Sequence, residues 1–278
     1  MNITISAIFI ALFAIIQTLS SAAIGETIYK NKRELINDQL FISDQDLKGK
    51  NDHKSIYLKS LRNITSDDNE EVERATKNLY QLKNDGLLDA EYSLYALRNN
   101  ISIPESQAFS FLEESANKGY GISQLELSNL YYNGYKVKKS LEKYHEWVEK
   151  SANSGNELAM RENAINYFTG SGIKRDDKAG FLWIQKLYTS SGRDFDDWGL
   201  LGKVYETGRG TPIDLVKAYM CYDLEGTAGI EEKARIAPKM TAEQRAEGLR
   251  MSREWQEKNH VYTMQYLGLS RQSDGSYR

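Results

Sequence analysis

Glycine recurs along this chain at Gly86, Gly119, Gly155, Gly192 and Gly229, at intervals of 33, 36, 37 and 37 residues. The neighbouring text recurs with it. Ser115-Ala116-Asn117-Lys118-Gly119 matches Ser151-Ala152-Asn153-Ser154-Gly155, and Thr189-Ser190-Ser191-Gly192 is a looser copy. An aromatic follows three of the glycines by 12 or 13 residues, at Tyr131, Tyr167 and Tyr205. A second glycine cluster comes next, at Gly134, at Gly170 and Gly172, and at Gly208 and Gly210. A bulky residue (Leu112, Trp147, Trp183, Tyr222) precedes each closing glycine, and four residues before it stands Ala108, Lys143, Ala179 or Ala218. A period of this length restricts the fold to stacked supersecondary units, because one unit cannot bury its apolar face alone.

Each unit reads as two helices. Ser123, Leu127, Leu130 and Tyr131 fall on one face of a first helix. The glycine cluster makes the turn, where positive φ is needed. A second helix follows, with Leu141, Tyr144, Val148 and Ala152 on its face in one unit and Ala179, Leu182, Trp183 and Lys186 in the next. Asp176 and Asp214 stand at N-cap positions, and Pro104 falls in another first turn. The expected fold is therefore all-α, a right-handed α-solenoid of antiparallel helix-pair repeats over residues 71–258. Val72, Ala75, Leu79 and Leu82 supply a leading helix, and Thr241-Ala242-Glu243-Gln244 is a capping box opening a closing helix that ends near Trp255. One unit has Leu97-Arg98-Asn99-Asn100 where the others have glycine. Residues 24–70 read as a polar leader or extra helices, and 259–278 as a mobile C-terminal tail.

Composition narrows the chemistry. With 36 Lys+Arg against 39 Asp+Glu, the net charge of −3 removes the electrostatic argument for nucleic acid or an anionic membrane. A lone Cys221, set in an apolar helical stretch, excludes a disulfide framework and reads as a buried, inert thiol. The three histidines lie far apart, His145 at a polar position expected on the surface, so no metal site and no cofactor are expected. Neither a phosphate-binding loop nor a G-x-S-x-G elbow is present, and adjacent carboxylates such as Asp176-Asp177 point apart on a helix. Enzymatic activity is not expected. Residues 1–23 read as a signal peptide: Ile5–Ile16 is an apolar run of h-region length, followed by small residues at Ser20-Ser21-Ala22-Ala23. If this peptide is cleaved, the protein acts in the periplasm or outside the cell with no membrane insertion; if it is kept, it anchors a structural protein to the membrane.

The pattern G-x(11)-Y-[YF]-x-G, read at Gly119 and Gly155, together with the A-x3-W step at Ala179 and Trp183, resembles the Sel-one-like repeat (SLR) family, relatives of tetratricopeptide (TPR) repeats. The resemblance runs from Gly86 to Lys258. It implies a non-catalytic bacterial solenoid that binds another protein on its concave face. Exported members include immunity proteins that neutralise lipase toxins of type VI secretion systems, adaptors for envelope assembly and secreted host-targeting factors. A cysteine-rich branch was credited with β-lactam binding, and Cys221 alone places this chain outside it.

The concave binding surface is expected from exposed positions of the first helices: Gln124, Ser128 and Tyr132, then Arg161, Glu162 and Asn166, then Asp197, Lys203 and Glu206. Their mixed charge, amide and aromatic character suits a partly polar protein interface. The leading expectation is an immunity protein. Behind it stand an adaptor role and, last, a small-ligand or cell-wall-acting enzyme.

Overall fold

A computed structural model describes residues 27–28 and 42–269. The signal-peptide assignment therefore lies outside the described residues. No described helix is long and apolar enough to cross a membrane.

The described residues form thirteen α-helices and no strand: α1 Asp44–Leu47, α2 His53–Asn63, α3 Asn69–Asn84, α4 Leu88–Ala96, α5 Glu105–Asn117, α6 Gly121–Asn133, α7 Leu141–Asn153, α8 Glu157–Thr169, α9 Asp177–Ser191, α10 Trp198–Thr207, α11 Leu215–Leu224, α12 Ile230–Ile236 and α13 Ala242–Asn259. They divide into two compact units, one of the described residues up to 163 with 171–173, the other of 164–170 and 174–269.

In the first unit each helix from α2 to α7 packs on its neighbour in sequence. Its core is continuous, with Tyr57, Leu58, Leu79, Leu82, Leu88, Leu94, Leu112 and Tyr120 almost wholly out of solvent. Each buried leucine contributes roughly 2 kcal/mol of apolar transfer. The second helices end alike. Gly86, Gly119 and Gly155 take φ of 92, 93 and 92°, and the next amide donates five residues back, Leu87 to Leu82 O, Tyr120 to Ser115 O and Asn156 to Ser151 O. This closes orphan carbonyls of the helix end. The glycine-free unit solves its turn differently: Leu97 caps α4, and Ser102 takes the positive φ, 54°.

Two buried carboxylates anchor this unit. Asp89 accepts from the Ile28 amide at 3.0 Å and the Tyr120 hydroxyl at 3.1 Å. Glu91, also buried, pairs with Lys118 at 2.8 Å.

In the second unit α10 packs on α11, and α11 on α12 and α13. Ala218, Tyr222, Ile236 and Met240 form a core. On α9 the buried stripe is Gly180, Ile184 and Leu187, while Leu182 is 64% exposed. The expected stripe through Ala179, Leu182, Trp183 and Lys186 is thus offset by one residue. The reason is Gly180, where a Cβ would meet the Phe168 ring at 2.6 Å, so closest approach falls there and not at Ala179. Leu141 is likewise exposed, at the first position of α7. The closing helix α13 carries the Thr241/Gln244 capping box and runs past Trp255 to Asn259. It docks by a polar stripe: Ser252 donates to Asp223 at 2.7 Å, Gln256 donates to Ser252 at 3.1 Å, and Thr263 N donates to Gln256 Oε1 at 2.7 Å.

Candidate functional site

The turn inside each repeat sets the geometry of the candidate surface. Ser140, Asp176 and Asp214 each donate a backbone N–H to the carbonyl nine residues earlier, of Tyr131, Tyr167 and Tyr205, at 2.9–3.0 Å. Their side chains accept from the first amides of the following helix. One residue thereby closes the turn and caps the second helix. Lysines lean on aromatic faces at equivalent places: Lys143 on Tyr131 at 5.1 Å and Lys217 on Tyr205 at 5.2 Å. Lys150 covers Trp147 at 4.0 Å, and Lys186 covers Trp183 at 4.3 Å.

In the first unit Gln124 and Ser128 are buried, contrary to the expectation that both face outward. A middle helix of such an array is covered on two sides, here by α5 and α7, so only a narrow strip of α6 reaches solvent. Gln124 ties two helix-closing turns together, donating to Ala116 O at 3.0 Å and accepting from Ser154 at 3.1 Å. Ser128 bonds back to Leu125 O at 2.6 Å. Tyr132 is 47% exposed and Arg161 is exposed, as expected. Glu162 is half-buried. Tyr144 brings two of these residues together, its ring 5.1 Å from that of Tyr132 and its hydroxyl 3.4 Å from Glu162 Oε2. Burial raises the Glu162 carboxyl above its ordinary value, opposed by the Tyr144 hydroxyl. His145, expected on the surface, is buried on α7, and burial lowers its pKa.

In the second unit Asn166 is buried, Asp197 half-buried and Lys203 exposed. Glu206 does not face outward either: its side chain is 7% exposed. The Arg235 guanidinium first, with the Tyr222 hydroxyl and Lys203, holds its carboxyl at about 2. Lys203 and Glu206 are thus brought together at 3.3 Å. Cys221 is buried, and burial pushes its thiol up. Among the described residues no three His, Cys, Asp or Glu side chains gather as metal ligands.

Two features escaped the sequence reading. Tyr135, 51% exposed, follows Tyr132 by three residues in a stretch that also exposes Lys136, Lys138, Lys139 and Lys143, and its hydroxyl donates to Glu105 at 2.7 Å. Lys136 is paired with Glu105 at 2.7 Å, and Lys139 lies 5.5 Å from the Tyr132 ring. The run Tyr135-Lys136-Val137-Lys138-Lys139 was the available signal. The second feature is a half-open cavity in the second unit, bounded by α9, α10, α11 and Met251 of α13.

A family model described as Sel1 repeat matches residues 121–156, 158–190 and 200–224. Each stretch is one helix pair, α6 with α7, α8 with α9, and α10 with α11. The chain carries Sel1 repeats. Among solved structures, a protective antigen of uropathogenic Escherichia coli strains that displays an SLR fold aligns at a TM-score of 0.59 and 22% identity, over 83% of this chain and 51% of that one. The Sel1-repeat chain therefore spans about half the length of that antigen. A Sel1 repeat protein from Oxalobacter formigenes aligns at a TM-score of 0.54 and 17% identity, over 80% of this chain and 97% of that one. A comparison with curated proteins finds no match. At these identities the likeness establishes the fold, the all-α helix-pair repeat class. Sel1-repeat proteins are in general non-catalytic scaffolds for protein interaction.

Proposed function

We propose that this Sel1-repeat chain is a non-catalytic protein-binding module that works in the periplasm or after secretion. The observation that carries this reading is the patch on α6 and the turn after it, where Tyr132 and Tyr135 stand exposed beside lysines on a well-packed repeat. Tyrosine presents a large, stiff contact area at low entropic cost, and exposed aromatics gathered on a rigid frame mark interaction surfaces. The lysines favour a partner with an acidic face. Export rests on the apolar run at Ile5–Ile16. Within this reading, neutralisation of a type VI lipase toxin ranks first and an adaptor for envelope assembly or a host target second, by analogy with exported relatives.

A pull-down of the tagged full chain from a periplasmic extract tests the reading. The expected result is one dominant stoichiometric partner, lost when Tyr132→Ala is combined with Tyr135→Ala and Lys139→Glu. A captured lipase whose activity falls on binding would support the immunity assignment. A chain that stays in the cytoplasmic fraction, or captures nothing, overturns the proposal.

A further inference from the structure

The cavity of the second unit holds about 270 Å³ and is partly open to solvent. Its walls are Tyr188, Trp198, Leu201, Tyr205, Met220 and Met251, and the charged group among its lining is Lys217. The aromatic wall is braced from behind: Trp198 packs edge-on against Tyr188 at 5.7 Å, Phe195 at 4.8 Å and Trp255 at 4.8 Å. Lys217 is fixed at the rim by Asp214 at 3.2 Å and by the Tyr205 face at 5.2 Å. The room lies below the roughly 300–1,000 Å³ of sites for drug-sized ligands. It suits one bulky side chain, and the half-exposed Lys217 ammonium, a three-donor group of which Asp214 engages one side, can meet a second carboxylate beside that side chain.

We infer that this cavity is a socket for one aromatic side chain of a partner polypeptide, with an acidic neighbour meeting Lys217. The inference rests on the protein-binding reading and names a second contact point for it. Anchor residues of this kind, seated in a desolvated pocket, carry a large share of binding energy in protein interfaces. Tyr188, Trp198 and Tyr205 supply the ring faces and edges, and the thioethers of Met220 and Met251 adapt to the inserted ring.

The test uses the full chain labelled with ¹³C-methyl methionine, titrated with acetyl-Phe-Asp-amide. The Met220 and Met251 signals should shift saturably while Met160 stays in place. Acetyl-Phe-Asn-amide should bind about fivefold more weakly, the weight of one exposed ion pair, and acetyl-Ala-Asp-amide should shift nothing. Lys217→Met should bring the two Phe peptides to equal affinity, and Met251→Trp should fill the socket and abolish the shifts. If Met251→Trp fails to fold, Lys217→Met decides. No saturable shift, or equal affinity of the unaltered chain for the Asp and Asn peptides, overturns the inference. So does movement of the Met220 and Met251 signals on deleting residues 270–278, which hold Asp274 and Tyr277, since the chain itself would then be the occupant. A partner captured in the pull-down while the peptide moves no methyl overturns the socket alone. Saturable peptide binding with no partner captured supports the socket and counts against the protein-binding reading.

Discussion

A Cβ placed on Gly172 would stand 2.0 Å from the carbonyl oxygen of Leu141, the residue that opens α7. One repeat later, a Cβ on Gly210 would meet the carbonyl of Asp177, the first residue of α9, at the same 2.0 Å. Both glycines have φ of +73°. Each turn thus rests directly on the preceding repeat, and the space between them admits hydrogen only.

Alanine at Gly172 or Gly210 should therefore be far costlier than alanine at Gly155, where no atom lies within 4 Å of the added Cβ. The left-handed φ is common to all three, so the difference isolates the backbone clash. We expect about 2–4 kcal/mol for the first two and about 1 kcal/mol for the third, from urea unfolding followed by circular dichroism. Equal losses at the three sites would refute the contact.

The caps at Ser140, Asp176 and Asp214 should behave as equivalent parts. Replacing any of them with alanine removes the acceptor for the first amides of the next helix and should cost about 1 kcal/mol. Asp176→Asn should recover most of the loss, since the amide oxygen can still accept. Chemical denaturation of the three alanine variants checks this directly.

Glu162 and Glu206 should give opposite pH responses. Burial raises the folded-state pKa of Glu162 above 4.5, so the folded chain holds that proton more tightly than the unfolded one, and its penalty at neutral pH is relieved on acidification. Glu162→Gln should raise the urea midpoint at neutral pH, with the gain shrinking as pH falls through the folded value. Glu206 is the reverse. Its folded pKa of about 2 lies below 4.5, so its stabilisation is complete above 4.5 and is lost as pH falls toward 2. Glu206→Gln should cost about 2 kcal/mol at neutral pH, and the cost should vanish in strong acid. Midpoints measured across this range would expose either sign as wrong.

Asp89 joins the Ile28 backbone to the body of the first unit through a buried carboxylate. Asp89→Ala strips acceptors from the Ile28 amide and the Tyr120 hydroxyl together, an expected loss of about 2–4 kcal/mol. Asp89→Asn, keeping one acceptor, should lose less. Thermal melts that rank the two variants the other way would contradict this hydrogen-bond arrangement.

Cys221 should be silent toward a thiol reagent such as Ellman's in the native chain and react fully in denaturant. The thiol is buried and its pKa is raised by that burial, so almost no thiolate is offered. Rapid labelling without denaturant would show that α11 opens locally.

What could be read ahead of the structure was whatever is settled within a few residues. The Asp176 and Asp214 caps and the Thr241/Gln244 box act over three residues, so their spelling alone is diagnostic. The glycine period likewise marks where second helices end at Gly86, Gly119, Gly155 and Gly192, but not at Gly229, since α11 already ends at Leu224 and Gly226 takes the positive φ there. Polar residues at interior positions were misjudged because their partners are remote. Gln124 meets Ser154 30 positions on, and Glu206 meets Arg235 29 positions on. Periodicity also cannot tell a helix with one covered side from one with two, which is why Gln124, Ser128, Asn166 and His145 seemed to face water. The missing glycine of the unit at Leu97-Arg98-Asn99-Asn100 was legible, but not that Ser102 would take the left-handed position there.

The closing helix has a consequence for how such a chain can lengthen. Its seat on α11 carries a matched hydrogen-bond pair, Ser252 to Asp223, while Gln256 holds the segment that follows the helix through Thr263, so the last helix pair and its cover form one inheritable cassette. Duplicating or deleting a pair upstream leaves that cassette intact, whereas a copy inserted between α11 and α13 would present the cover with the wrong lock. Copy number can therefore drift in the interior of the array while its terminus stays constant.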